Sequence, residues 1–235
     1  MTQSKSVWNS AVLGWLIGVF ILFATPSFAA TIWTDWTGFT IGANGGGAAT
    51  SSVSGVTYSG ELDGITISGA ANIWNPDSTF VGGTITTSPN TAGDELTLNG
   101  AFTGINTITF ASPVANPVFA IWSLGHTLST AAFIFDATPT FEVGGPSGFG
   151  GHAITVSGNT VSGNEGNGVV QFTGTFSSIS WTSVPEGGPG GLGGGNYAFT
   201  VGSNGPIATG VPEPTLFALL GLGLTGLGFS RRKKA

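Results

Sequence analysis

The chain has no cysteine. That excludes disulfide staples, thiolate metal sites and a lipoprotein anchored through an acylated Cys. Charge is scarce as well. Only 7% of residues are charged, and the five basic ones are Lys5, Arg231, Arg232, Lys233 and Lys234. Between Ser6 and Ser230 there is no Lys or Arg, while all 11 Asp and Glu lie inside that span. The middle of the chain therefore has no cation with which to neutralise phosphates, which excludes nucleic-acid binding. An acidic, base-free surface suits an exported protein that stays clear of anionic surfaces. The body also lacks any segment with the 3.6-residue apolar period of an amphipathic helix.

What is present is strand-and-turn chemistry. Gly numbers 41, Phe 17 and Trp 7 in 235 residues. Short apolar stretches alternate with the dipeptides Asn44-Gly45, Asp63-Gly64, Asn99-Gly100, Asn167-Gly168 and Asn204-Gly205, which favour hairpin turns. In VVQFTGTF, Val170, Phe172 and Phe176 point one way and Gln171, Thr173 and Thr175 the other. Ile179 and Trp181 share a face in SISWT, as do Tyr197, Phe199 and Val201 in YAFTV. These runs read as strands with one wet face. PVFAIWSL (117–124) and AAFIF (131–135) are apolar on both faces and read as central strands. About a dozen strands and no helix predict an all-β, single β-sandwich or jelly-roll-like domain over residues 30–201. A β-solenoid, suggested by the doubled VSGN of VSGNTVSGN, is the runner-up. The Gly-rich stretch 184–195 reads as a long loop within the domain, and 202–211 as a linker.

The two ends are of another kind. Residues 1–29 carry Lys5, the apolar run Ala11 to Ala24, the helix breaker Pro26, and small residues at Ser27 and Ala29. This reads as a signal peptide, with cleavage expected after Ala29 by signal peptidase, rather than as an uncleaved anchor, for which the 14-residue run is short. The other end, 212–235, carries Pro212-Glu213-Pro214, then an apolar run from Thr215 to Phe229, then the basic cluster. Leu216, Phe217, Leu219, Leu220, Leu222, Leu224, Leu227 and Phe229 supply its hydrophobicity. As a helix it reaches roughly 22 Å, against about 30 Å of hydrocarbon. Its four glycines weaken it further. It predicts a short transmembrane helix that would be a weak permanent anchor, transient or retained, with Arg231, Arg232, Lys233 and Lys234 on the cytoplasmic side.

The order of Pro-Glu-Pro, apolar helix and basic cluster resembles the PEP-CTERM sorting domain of Gram-negative and related bacteria. That resemblance implies processing by exosortase, a membrane Cys transpeptidase-like enzyme, with Pro212, Glu213 and Pro214 as its recognition site. It also implies a cell-surface or extracellular-matrix destination associated with exopolysaccharide and biofilm. The GxGxxG match at Gly221 to Gly226 is not a dinucleotide site, because no acid follows at the required spacing.

The body offers little catalytic chemistry. His126 and His152 are 26 residues apart, without a close-spaced zinc partner, and no GxSxG elbow occurs. Glu61 and Asp63 would share a strand face, but the E-x-D-x-x-E pattern of lectin-like glucanases fails at Thr66. Asp136 and Glu142 form another carboxylate pair to test, and Asp94-Glu95 and Asn164-Glu165 are the candidate calcium turns. No enzyme, no metal site and no cofactor is expected. Of the tryptophans, Trp122 and Trp181 read as core. Trp33, Trp36 and Trp74 are the candidates for an exposed sugar-stacking platform. The leading expectation is a structural surface or matrix protein. The alternatives are a carbohydrate-binding module and, behind it, a polysaccharide-active enzyme.

Overall fold

Alternation of apolar and hydroxyl side chains, with β-branched and aromatic residues abundant, drives the body into antiparallel pairing. The computed structural model describes residues 30–42, 45–51, 55–66, 73–89, 94–100, 102–186 and 195–205. Among them it has sixteen strands, numbered β1 to β16 in chain order, and one short helix, α1 (Asp77–Phe80).

The strands form two sheets. The first runs β10 (Thr140–Gly144), β14 (Gly166–Gln171), β8 (Pro117–Leu124), β16 (Tyr197–Ser203), β6 (Glu95–Leu98), β5 (Gly64–Thr66). β1 (Ile32–Trp33) pairs with β16, and β11 (His152–Ala153) pairs in parallel with β14. The second runs β12 (Thr155–Ser157), β13 (Thr160–Gly163), β9 (Ala131–Phe135), β15 (Thr175–Val184), β7 (Asn106–Ala115), β4 (Val56–Glu61), β3 (Gly46–Thr50), β2 (Gly38–Ile41). All pairs other than β11–β14 are antiparallel. The all-β expectation holds, and two facing sheets replace the solenoid alternative. The ends read as signal peptide and membrane helix lie outside the described residues. Among the described residues no helix is long and apolar enough to cross a membrane.

An aromatic core joins the sheets. Trp181 of β15 lies edge-on to Phe119 of β8 and Phe199 of β16, at 5.6 and 5.2 Å between ring centroids. Tyr58 of β4 stacks on Trp181 at 5.9 Å. Phe135 of β9 meets Phe119 and Phe172 edge-on. Each such contact adds about 0.5–1.5 kcal/mol beyond the area it buries.

The first sheet is covered on its other face too. Val118 and Ala120 of β8 and Val169 of β14 point away from the main core, into a second cluster with Trp33, Trp74, Phe80 and Ile85. The segment 73–89, which contains α1, supplies most of that cover. Hence PVFAIWSL is apolar on both faces and sits between β14 and β16. β9 also lies inside its sheet, but its outward Ile134 is exposed, so only one of its faces is covered.

Several local expectations are corrected. VVQFTGTF is not one strand: β14 ends at Gln171 and the chain crosses to β15 at Thr175. Gln171 is buried because segment 73–89 covers it, and its Nε2 donates to Thr84 Oγ1 at 3.0 Å. β16 has no wet face, since Ala198 and Thr200 are buried like Tyr197, Phe199 and Val201. Asp63-Gly64 and Asn99-Gly100 are not hairpin turns but crossings between the sheets. Asn167-Gly168 lies inside β14, where the register shifts.

Candidate functional site

The three tryptophans expected to stack sugars are all buried. Thr34–Thr37 is not a strand but the crossing from β1 in one sheet to β2 in the other. Trp33 therefore falls into the second cluster and Trp36 into the main core. Each indole N–H is used internally: Trp33 Nε1 donates to Thr87 O at 2.9 Å, Trp36 Nε1 to Thr200 Oγ1 at 3.3 Å, and Trp74 Nε1 to Asp94 O at 3.3 Å. Trp74 also meets Phe80 edge-on at 5.2 Å. These rings are structural. The half-buried indole is that of Trp122, expected in the core, which lies edge-on to the exposed Phe149 at 5.7 Å.

The acids do not gather. Glu61 is buried, where Oε1 accepts the Asn99 N–H at 3.1 Å, while Asp63 is exposed. Asp136 follows β9 of the second sheet, whereas Glu142 lies on β10 of the first. Asp136 Oδ1 accepts the Ser180 N–H at 3.0 Å; Glu142 Oε2 accepts the N–H and hydroxyl of Thr84 at 2.8 and 2.9 Å. Asp94 Oδ2 accepts the Trp36 N–H at 2.6 Å. Asn164 Oδ1 accepts the Thr130 hydroxyl at 2.9 Å. His126 and His152 are exposed, in the loop after β8 and on β11. Among the described residues no group of three or more His, Asp or Glu side chains is placed to hold a metal.

Burial and a nearby carboxylate act on both tyrosines. Burial, then the negative charge of Glu61, pushes the Tyr58 phenol far above its ordinary value. Burial, then Glu186, does the same to Tyr197, whose hydroxyl donates to Glu186 Oε1 at 3.1 Å. Both stay neutral hydrogen-bond donors.

One surface has an order that the residue-by-residue reading missed. On the outer face of the second sheet, register places Ser180, Thr107, Ser59 and Thr40 in one row, interrupted by Ala48 between the last two. Two residues along, Ser178, Thr109, Thr57 and Thr50 form the next row. Thr107 Oγ1 and Ser180 Oγ are 3.0 Å apart. No charged side chain stands in either row. At the β9 end, the first row runs into a shallow, open groove lined by Ile105, Ile134, Asp136, Ser180 and Thr182, over the backs of Phe135 and Trp181. The signal was legible as hydroxyls at every second position in NTITF, VTYSG and SSISWTS.

The sorting residues Pro212, Glu213 and Pro214, the membrane segment, the basic cluster, and Ser27 and Ala29 lie outside the described residues. For the tail, the comparison of sequences decides. Residues 210–233 match the family model for the PEP-CTERM protein-sorting motif. The chain carries a PEP-CTERM sorting tail. The motif implies processing by exosortase, export, and a cell-envelope or extracellular destination in Gram-negative bacteria. No curated protein matches the chain. No solved structure matches it either. The PEP-CTERM match covers the tail alone, so the β-sandwich ahead of it is read from its own residues.

Proposed function

We propose that this is a non-catalytic structural component of the cell surface or extracellular matrix. In this reading signal peptidase removes residues 1–29. The tail then holds the folded sandwich briefly at the inner membrane, and exosortase cuts or transfers the chain at Pro212-Glu213-Pro214. The mature domain associates with exopolysaccharide in a biofilm matrix.

The observation that carries the reading is the PEP-CTERM tail at 210–233. Two prolines keep the recognition site extended, which suits an enzyme that takes a strand-like substrate just outside the membrane. The non-catalytic assignment is supported by the use of the acids. Asp94, Asp136, Glu142 and Glu186 each accept hydrogen bonds that hold backbone or side chains of the fold, and the two histidines stand apart from them.

The test is the intact mass of the mature protein from cells with and without exosortase. A species beginning at Ala30 and ending near Pro214, found only when the enzyme is present, is the expected result. A mass running through Ala235 in both strains would make the tail a permanent anchor and overturn the proposal. Glu213→Ala is expected to reproduce the enzyme-deficient pattern in cells that have exosortase.

A further inference from the structure

We propose that the hydroxyl face of the second sheet binds a neutral, polyhydroxylated polymer laid across the strands, with one ring of it seated in the groove between Ile105 and Ile134. The two rows give hydroxyls at strand spacing, about 4.8 Å apart, over β15, β7, β4, β3 and β2. A hydroxyl both donates and accepts, so an array of them is matched by a partner that does the same along a repeat. Polysaccharides of neutral sugars have that chemistry.

Other partners fit less well. A polyanion needs cations, and the body has no Lys or Arg. A protein partner of ordinary affinity needs buried aromatic or Arg anchors, and neither row contains one. A cation needs several converging carboxylates, and Asp136 is the sole acid lining the groove.

The groove adds what the rows lack. Ser180 N–H holds Asp136 Oδ1 at 3.0 Å, which fixes the carboxylate at the surface. A fixed carboxylate accepts sugar hydroxyls in charge-assisted bonds, roughly twice as strong as neutral ones. Ile105 and Ile134, exposed by 65% and 38%, offer apolar walls to the C–H side of a ring. A neutral hydroxyl pair exchanged against water contributes little by itself. Binding must therefore grow with polymer length as successive repeats meet successive strands.

The inference deepens the matrix reading and rests on it for where the polymer is met. The assay is native gel electrophoresis of the full chain in detergent, through gels containing hydroxyethylcellulose or dextran, with polygalacturonate as the anionic comparison. A neutral glucan is expected to retard the protein, while glucose and polygalacturonate do not. Asp136→Asn should weaken retention about fivefold, and Thr57→Val with Thr107→Val should weaken it at least as much, the β-branched shape being kept. Phe149→Ala, outside this face, should leave retention unchanged. No retardation by either neutral glucan, or retention unaltered in both face variants, overturns the proposal. So does a change of oligomer size in those variants without glucan retention, which would assign the face to a second copy. Because purified protein is used, failure here leaves the tail-processing result standing, and failure there leaves this one standing.

Discussion

At the scale of single residues, the tightest polar knot joins Tyr58, Glu61 and Asn106. The Tyr58 hydroxyl sits between the Glu61 carbonyl and Asn106 Oδ1, and the same Oδ1 accepts the Glu61 N–H at 2.8 Å. Gly60 is needed beside it. Its φ of 152° disfavours a side chain, and a Cβ there would stand 2.4 Å from Asn106 Oδ1 and 2.8 Å from Asn106 Cα. The second atom is backbone of β7 and cannot step aside. Gly60→Ala should therefore cost about 1–3 kcal/mol, read as a lower midpoint in urea unfolding. The chain's two tyrosines make a second prediction. A phenol whose folded pKa lies above its unfolded value of 10.0 contributes stability that is complete below that pH and is lost as pH rises past it. Tyrosinate absorbance should then stay absent through pH 10 to 11 and emerge together with loss of near-ultraviolet circular dichroism. Two phenols titrating freely near pH 10 in the folded protein would refute the burial of both. In Tyr58→Phe the alkaline limit should move up.

At the scale of elements, the segment 73–89 controls how the first sheet is covered. Thr84 is its clasp: Glu142 of β10 accepts both its donors, while Gln171 of β14 and Asn204 donate to its hydroxyl at 3.0 and 2.8 Å. Removing the carboxylate by Glu142→Ala leaves the half-buried Thr84 N–H unmatched, at a cost of about 1–3 kcal/mol. Hydrogen exchange of the Thr84 amide should accelerate by roughly tenfold or more while β15 amides keep their protection. Equal acceleration in both would mean that the segment does not open separately. This element also explains what the sequence could and could not convey. Strand type was legible wherever one face meets water, as in SISWT. It was misread in VVQFTGTF and YAFTV, because the cover over Gln171, Ala198 and Thr200 comes from remote chain that periodicity does not register. The Asp-Gly and Asn-Gly dipeptides supply sharp turns, but whether a turn returns to the same sheet or crosses to the other depends on which face is left to fill. Trp33 and Trp36 failed as a sugar platform for the same reason: the crossing between sheets broke the strand geometry that would have left one of them outside. The hydroxyl rows were visible as alternation, but their lateral alignment needed the register.

At the scale of the whole molecule, the distribution of charge has a measurable effect. All 11 acids and no Lys or Arg lie between Ser6 and Ser230. No Lys or Arg is there to pair with these acids, so repulsion among carboxylates opposes compaction. Added salt should screen that repulsion. The melting temperature of the processed domain should rise between 0.01 and 0.15 M NaCl, as the Debye length falls from about 30 to about 8 Å. A fall would point to an unrecognised ion pair. The sorting motif at 210–233 was legible from residue order, because it is a linear pattern that needs no folding to be read. The shape and surface of the sandwich ahead of it are encoded by the order of residues only through folding.

The way the chain leaves the domain has a mechanical consequence. Gly205 follows β16, and β16 is flanked on both sides, by β8 from Ala198 to Ser203 and by β6 from Tyr197 to Phe199. A force applied to the chain beyond Gly205 pulls along the axis of an interior strand. The ladders on either side then carry the load together, in shear, and must rupture as a group. An edge strand would instead peel one bond at a time. The domain thus ends on one of the strands best placed to resist a pull from its C-terminal side.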